Sequence, residues 1–195
     1  MFVKICGLRT KAHVDAAVAA GANAVGCVFA DSVRRVVPRH AAEITVDVPK
    51  TVKRVAVMLH PANDEWQEVL LEFRPDILQT DAEDFASLDV PEYVGRWPVY
   101  REGGQQPPMT GMYVYEGAKS GCGETVDWSR AAELARHSRM ILAGGLGAAN
   151  VGEAIATVRP YGVDVSSAVE SAPGDKDPAL ITEFITVARA AETTL

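Results

Sequence analysis

The stretch Met1-Phe-Val-Lys-Ile-Cys6-Gly7 opens the sequence with a short apolar run that a glycine ends. We expect Phe2 to Cys6 to form a buried strand. A thiol at the last position of a first strand is an unusual choice for packing alone. In barrels of alternating strands and helices, the carboxyl ends of the strands carry the catalytic groups. Cys6 is therefore the first candidate for a catalytic residue.

Further apolar runs follow at intervals that leave room for helices. The predicted strands after the first are 24–29, 52–59, 76–79, 97–100, 112–115, 140–143 and 161–165. Strands that alternate with helical segments predict parallel βαβ units. Eight of them predict an α/β protein with one domain over residues 1–195, a closed (β/α)8 TIM barrel.

One interval of this pattern has no room for a helix. Residues 102–111, between the fifth and sixth predicted strands, are rich in Gly, Gln and Pro. We expect a loop to replace the helix there, which also helps to explain why the chain is shorter than the roughly 250 residues typical of this barrel. A doubly wound open sheet is the alternative fold.

Composition narrows the classes of partner. The chain has 195 residues and a net charge of −7, which argues against nucleic acid or an anionic membrane. The cysteines Cys6, Cys27 and Cys122 are widely spaced and form no CxxC, so we expect neither a zinc site nor disulfides. With no signal peptide and no membrane-length apolar run, we expect a cytoplasmic protein with free thiols. A monomer and a homodimer are both compatible with the sequence.

Two short polar loops follow the last two predicted strands. Gly144 and Gly145 end the seventh strand, and Ser166 and Ser167 end the eighth. In this fold a phosphate often binds between these loops, where glycines let backbone N–H groups approach an anion closely. Taken singly, Gly-Gly also fits a plain turn and Ser-Ser a helix cap. Together the two loops predict a substrate that carries a phosphate.

A carboxyl group and a guanidinium are candidate partners of Cys6. Asp127 precedes a predicted helix at the mouth of the barrel, where it can act as general acid opposite a thiolate base or simply cap the helix. Cys6 can equally be a buried packing residue. As a base it needs a depressed pKa, for example from a nearby cation. Arg34, after the second strand, can hold a substrate carboxylate in a bidentate fork or be a solvated loop residue.

Lys4 lies two positions before Cys6, so its side chain is expected to point into the barrel as well. Asp164 on the neighbouring eighth strand is its predicted partner, because an unpaired buried lysine is costly. We expect a structural ion pair that could also tune the thiol. His60, at the end of the third strand, is expected to be peripheral.

Several motifs, in order along the whole chain, resemble those of the phosphoribosylanthranilate isomerase family. They are Lys4-Ile-Cys-Gly7, then Gly121, Gly123 and Thr125 with Asp127-Trp128, Gly144-Gly-Leu146 with Asn150-Val151, Arg159-Pro160, and Val163-Asp-Val-Ser-Ser167 with Val169-Glu170 and Pro173-Gly174. Ser32-Val-Arg34 is a weaker match.

The resemblance implies a barrel enzyme of tryptophan biosynthesis that uses no metal and no cofactor. Such enzymes convert N-(5-phosphoribosyl)anthranilate to 1-(2-carboxyphenylamino)-1-deoxyribulose 5-phosphate by an Amadori rearrangement, an internal aldose-to-ketose redox step. By position it implies Asp127 as the general acid, Cys6 as the general base and Arg34 as the group that holds the anthranilate carboxylate. The implied phosphate ligands are Gly144, Gly145, Ser166 and Ser167.

Three positions depart from the family pattern. Asp81 stands where a histidine is common, Glu124 where a lysine is common, and Ala168 where a glycine is usual. The changes remove positive charge or backbone freedom, so we expect weaker binding at the phosphate end. Two other functions stay open: a related sugar-phosphate isomerase of histidine biosynthesis, which uses two aspartates, and a barrel that only binds a phosphorylated ligand.

Overall fold

The computed structural model describes residues 1–118 and 125–193, which form a closed barrel of eight parallel strands. The strands are β1 (Phe2–Cys6), β2 (Ala24–Val28), β3 (Lys53–Val57), β4 (Ile77–Asp81), β5 (Gly95–Arg101), β6 (Met112–Glu116), β7 (Arg139–Leu142) and β8 (Gly162–Val165). Each strand pairs with the next along the chain, and β8 pairs with β1 to close the sheet. The predicted barrel is confirmed, and the open sheet is ruled out.

Six α-helices lie in the described ranges and connect most of the strands. They are α1 (Lys11–Ala19), α2 (Pro38–Ile44), α3 (Asn63–Glu72), α4 (Trp128–Ala135), α5 (Val151–Val158) and α6 (Pro178–Glu192). Side-chain caps begin several of them: Thr10 accepts from His13 N at the start of α1, and Asp177 accepts from Ala179 N at the start of α6. As predicted, residues 102–111 connect β5 to β6 without a helix.

Two apolar layers hold the barrel together, because successive side chains of a strand point to opposite faces. The inner layer fills the barrel with Ala24, Val55, Ile77, Trp97, Val99, Val114, Ile141 and Ala143. The Phe2 ring packs against two other rings: its centroid is 5.6 Å from that of Trp97 and 5.7 Å from that of Tyr161. Phe2 and Tyr161 lie where β1 and β8 begin, so this ring cluster fills the amino end of the barrel. Open space is left at the opposite end.

Local geometry at three elements departs from the simplest rules. The predicted fifth strand is present, and β5 runs through Pro98, which is paired in register with Thr80 of β4, because a proline removes only one ladder hydrogen bond. Helix α5 starts at Val151. The N-cap of α3 is Ala62, and the Glu65 carboxylate accepts from the Ala62 N–H.

After β8 the chain makes a feature that the sequence analysis did not anticipate. A 3-10 turn, Ser167–Val169, leads into an antiparallel hairpin of β9 (Glu170–Ala172) and β10 (Asp175–Lys176). Gly174 in its turn has φ +82°, and a Cβ there would lie 2.9 Å from the Val33 carbonyl oxygen. Glycine is therefore required for the hairpin to pack against the loop after β2. Over residues 1–118 and 125–193, no helix is both long and apolar enough to cross a bilayer.

Candidate active site

A cavity of about 230 Å³ opens at the carboxyl ends of the strands. Six of the seven predicted site residues line it: Cys6, Arg34, Gly144, Gly145, Ser166 and Ser167. They come from the ends of β1, β2, β7 and β8, which are neighbours around the barrel. Asp127 is not among the lining residues.

Cys6 ends β1 with only 7% of its surface exposed. A Cβ on Gly26 of β2 would lie 3.1 Å from Lys4 Cε and 3.2 Å from Cys6 Sγ, so the missing side chain leaves room for both groups. Burial raises the pKa of the Cys6 thiol, and the Lys4 ammonium opposes that rise. The depressed pKa that a thiolate base needs does not follow from the enclosure of Cys6, because desolvation of the thiolate outweighs the nearby cations.

Lys4 and Asp164 form the predicted buried ion pair. They lie opposite each other in the β1–β8 register, and Lys4 Nζ is 2.7 Å from Asp164 Oδ2. Burial alone would lower the pKa of Lys4, but Asp164 and Cys6 raise it to about 12. The lysine is thus held in its charged form within the barrel, two residues from the thiol.

Arg34 does not project freely into solvent. Its Nε lies 2.7 Å from Glu170 Oε1 and its Nη2 lies 2.9 Å from Glu170 Oε2, which is a bidentate pair. Lys176 Nζ contacts the same carboxylate at 2.6 Å. Burial opposes ionisation of Glu170, but hydrogen bonds from Arg34 and Lys176 lower its pKa to about 2. The alternative of a solvated loop arginine is ruled out.

The two polar loops face the cavity together. Gly144 and Gly145 have φ +88° and +59°, a left-handed conformation that glycine adopts without strain. Asn150 holds this turn, since its Oδ1 accepts from Gly147 N at 2.8 Å and its Nδ2 donates to Gly145 O at 2.9 Å. Across the cavity, Ser166 Oγ donates to the Cys6 carbonyl oxygen at 3.1 Å. The glycines do form a turn, and that turn lines the cavity.

Asp127 lies at the N-terminus of α4 and is exposed. Its Oδ1 accepts from Ser129 N at 2.8 Å and Arg130 N at 3.2 Å, so the helix-cap alternative is realised in the structure. Its backbone N–H donates to Glu102, which follows the cavity-lining Arg101. Asp127 therefore lies beside the mouth of the cavity, with one carboxylate oxygen, Oδ2, outside the two capping bonds.

Asp81, which stands in place of the usual histidine, is buried but paired. Arg101 contacts its carboxylate through Nη1 and contacts Glu116 through Nη2 at 3.0 Å. His60 Nε2 lies 3.4 Å from Asp81 Oδ2, and His60 Nδ1 lies 3.0 Å from Asp84. The negative charge that Asp81 adds is thus compensated by Arg101. His60 is part of this cluster, although its side chain is 56% exposed.

The cluster around His60 also contains possible metal ligands. His60, Asp81 and Glu83 each offer a ligand atom, and these atoms lie within 4.8 Å of one another. In this structure Asp81 is engaged by the Arg101 guanidinium and by His60.

Sequence reasoning missed three charged residues at or beside the cavity: Arg101, Glu170 and Lys176. Val169-Glu170 belongs to the family motif quoted above, but no local pattern pointed to its partner. Ala168 fits beside Gly147, whose missing Cβ would lie 3.1 Å from the Ala168 Cβ. Glu124 and Cys122, with the glycines on either side of Cys122, lie outside the described residues.

Comparisons with known proteins agree with this geometry. Residues 3–187 match the family model described as N-(5'phosphoribosyl)anthranilate (PRA) isomerase. The N-(5'-phosphoribosyl)anthranilate isomerase of Listeria welshimeri is 36% identical, covering 98% of this chain and 100% of that protein.

Solved structures give the same result. TrpF from Jonesia denitrificans is 32% identical with a TM-score of 0.82, and the match covers 98% of both chains. A phosphoribosyl anthranilate isomerase in complex with reduced 1-(o-carboxyphenylamino)-1-deoxyribulose 5-phosphate is 28% identical with a TM-score of 0.80, over 97% of this chain and 99% of that one. The chain therefore belongs to the N-(5'-phosphoribosyl)anthranilate isomerase family.

Proposed function

We propose that this protein converts N-(5-phosphoribosyl)anthranilate to 1-(2-carboxyphenylamino)-1-deoxyribulose 5-phosphate, the third step from chorismate to tryptophan. The observation that carries the proposal is the single cavity that joins the Cys6 thiol, the Arg34 guanidinium and the loops at Gly144 and Ser166. A substrate with a carboxylate at one end, a phosphate at the other and a sugar between them fits this arrangement. The proposed location is the cytoplasm, and the proposed assembly is a monomer or a homodimer.

The two ends of the substrate have separate binding groups. The phosphate is assigned to the turn at Gly144 and Gly145 and to Ser166 and Ser167, where backbone N–H groups and the Ser167 hydroxyl can donate to it. The anthranilate carboxylate is assigned to Arg34. A guanidinium has five N–H groups, and Glu170 takes up two of them. Three remain, including both on Nη1, which is enough for a second bidentate contact.

Asp127 is the proposed general acid. It donates a proton to the ribose ring oxygen, and the anthranilate nitrogen lone pair forms a double bond to C1 as the ring opens. The product of this step is a protonated Schiff base. The exposed carboxylate beside the cavity mouth supports this role.

Cys6 is the proposed general base. Its thiolate removes the proton from C2, and the electron pair moves toward the positively charged Schiff base nitrogen to give an enolamine. The enolamine tautomerises to the ketone, and exchange with solvent restores the starting protonation of both side chains. Because burial raises the pKa of the free thiol, the positive charge of the Schiff base is expected to stabilise the thiolate when it is needed.

The test is a turnover assay that generates the substrate in the cuvette and follows its anthranilate fluorescence. We expect the wild type to consume it, and Cys6→Ser and Asp127→Asn to slow turnover by roughly 100- to 10,000-fold. Asp177→Asn is the matched control for the acid, since Asp177 caps α6 as Asp127 caps α4 and asparagine caps equally well. Cys27→Ala is the control for the thiol, because Cys27 is buried and does not line the cavity.

The controls separate the proposed roles from structural ones. If Asp127→Asn loses no more activity than Asp177→Asn, then Asp127 is a helix cap only. If the wild type binds the product but does not turn over the substrate, the barrel is a binding protein and the proposal is wrong.

A further inference from the structure

The hairpin of β9 and β10 carries two buried charged residues that lie behind the cavity wall. The Glu170 side chain is 5% exposed and that of Lys176 is 0% exposed. The hairpin lies 136 positions from Arg34 in the sequence, as counted from Glu170. Neither residue is among the cavity-lining residues, so both act from behind the wall.

Every donor of the Lys176 ammonium has an acceptor. Its Nζ lies 2.6 Å from Glu170 Oε1, 2.9 Å from the Ser166 carbonyl oxygen and 3.2 Å from Ser166 Oγ. An ammonium has three N–H groups, so this one is fully occupied and has none left for a ligand. Lys176 therefore links Ser166, on the phosphate side of the cavity, to Glu170.

Glu170 in turn fixes the Arg34 side chain from one edge. The Nε and Nη2 edge of the guanidinium is paired with the two carboxylate oxygens, so the free Nη1 edge has a defined direction. The stem of Arg34 is constrained too, since a Cβ on Gly7 would lie 2.7 Å from Arg34 Cδ and 3.0 Å from Ser166 Oγ. Arg34 and Ser166 thus converge above the end of β1, and the hairpin connects them from behind.

We propose that Glu170 and Lys176 are positioning residues: Glu170 orients Arg34 toward the substrate carboxylate, and Lys176 sets the distance between Arg34 and the phosphate loop at Ser166. The inference rests on the function proposed above. Without the Glu170 charge, the Arg34 and Lys176 cations would face each other with nothing between them. A glutamine there has one acceptor oxygen in place of two, so the bidentate pair with Arg34 Nε and Nη2 is lost, because the amide nitrogen is a donor.

The experiment measures binding of two probes by calorimetry: reduced 1-(o-carboxyphenylamino)-1-deoxyribulose 5-phosphate, which carries both ends, and inorganic phosphate, which carries one. For Glu170→Gln we expect roughly 10- to 100-fold weaker binding of the first probe, as large as the loss when a residue that orients a metal ligand is removed. Binding of inorganic phosphate is expected to stay unchanged. For Lys176→Met, both probes are expected to bind more weakly, because Ser166 loses its contact.

A second comparison asks whether Glu170 acts through Arg34. In an Arg34→Met background, Glu170→Gln is expected to cause no further loss of affinity for the first probe, whereas independent effects would add. Glu43→Gln is the matched control, since it removes a carboxylate that pairs with an arginine on the exposed surface of α2. Glu170→Asp keeps the charge and serves where Glu170→Gln does not fold; its shorter side chain is expected to give the same selective loss.

The inference is overturned if the Glu170 variant weakens both probes equally or neither, or if its effect adds to that of Arg34→Met. A failure of the proposed function gives a different result. If the proposed function is wrong, the wild type itself fails to turn over the substrate or to bind the first probe.

Discussion

The cavity has two sides that both contain buried charged residues. One side is formed by β8, β1 and β2, and the other by β4, β5 and β6. The ion pairs on the two sides differ in how deeply they are buried. On the first side, Lys4 and Lys176 are fully enclosed, and each reaches its partner at 2.6–2.7 Å. On the second, Arg101 is 20% exposed and His60 is 56% exposed. The first side is an enclosed network, and the second is a cluster at the rim.

The two sides also differ in how far they follow the family pattern. The motifs that carry the family resemblance around Cys6 and Ser166 lie on the enclosed side. Two of the three departures lie in the described residues. Asp81 is on the rim side, where Arg101 and His60 compensate its charge, and Ala168 follows β8 on the enclosed side, where it adds no charge. A substitution that adds charge is tolerated where a flexible, partly solvated side chain can move to pair with it. In an enclosed network no side chain is available for this, because each member is already paired with another member.

The largest expected effect is on the enclosed side. Lys4→Met and Asp164→Asn should each lower the free energy of unfolding by about 3–5 kcal/mol, because each leaves an uncompensated buried charge. The double variant Lys4→Met/Asp164→Leu should be more stable than either single one. Denaturant unfolding measures all three.

The control for this prediction is the Lys11–Asp15 pair, which has a similar separation of 2.8 Å but is exposed. Lys11→Met should cost far less than either buried variant, because exposed ion pairs contribute little to stability. If the buried and exposed variants lower the free energy of unfolding equally, burial does not distinguish the two pairs. The proposed difference between the two sides of the cavity would then be wrong.

An intermediate effect is expected on the rim side. Arg101→Met removes the cation shared by Asp81 and Glu116, and should lower the free energy of unfolding by about 1–3 kcal/mol, since His60 and solvent remain available to Asp81. Arg96→Met, on the exposed face of the same strand, is the matched control. Adding Asp81→Asn should recover part of the loss, because paired residues are not additive. Full additivity in the double variant would show that Arg101 and Asp81 are not coupled.

The smallest effect concerns the protonation of His60. Hydrogen bonding to Asp84 raises the pKa of His60 above its ordinary value, although the ring is largely solvated. The stabilisation from this pairing is therefore present below about pH 6.5, the ordinary histidine value, and is lost as pH rises through the higher folded-state pKa. Ring-proton NMR titration should show the raised pKa in the wild type and a lower one in Asp84→Asn. Asp89→Asn, an exposed carboxylate outside the cluster, should leave the titration unchanged; an equal shift in both variants would contradict the pairing.

Local sequence signals were enough for the barrel and for most of the cavity. Apolar runs of strand length, separated by amphipathic segments, predicted eight parallel strands, and closure of the sheet then placed Cys6, Arg34, Gly145 and Ser166 at one end. The Lys4–Asp164 pair was also predictable, because alternation along a strand fixes which side chains point inward. The assignment of catalytic roles to Cys6 and Asp127 stays a prediction that the turnover assay tests.

Tertiary structure decided the features that depend on chain segments distant in sequence. Arg34 contacts Glu170, which Lys176 also contacts, only because a hairpin after β8 folds back over the loop after β2. No periodicity in the sequence encodes that arrangement. The raised thiol pKa of Cys6 is likewise a property of its enclosure. Residue type and spacing determine which groups reach the cavity, whereas desolvation and pairing across the barrel set their charge and direction, and those depend on the whole fold.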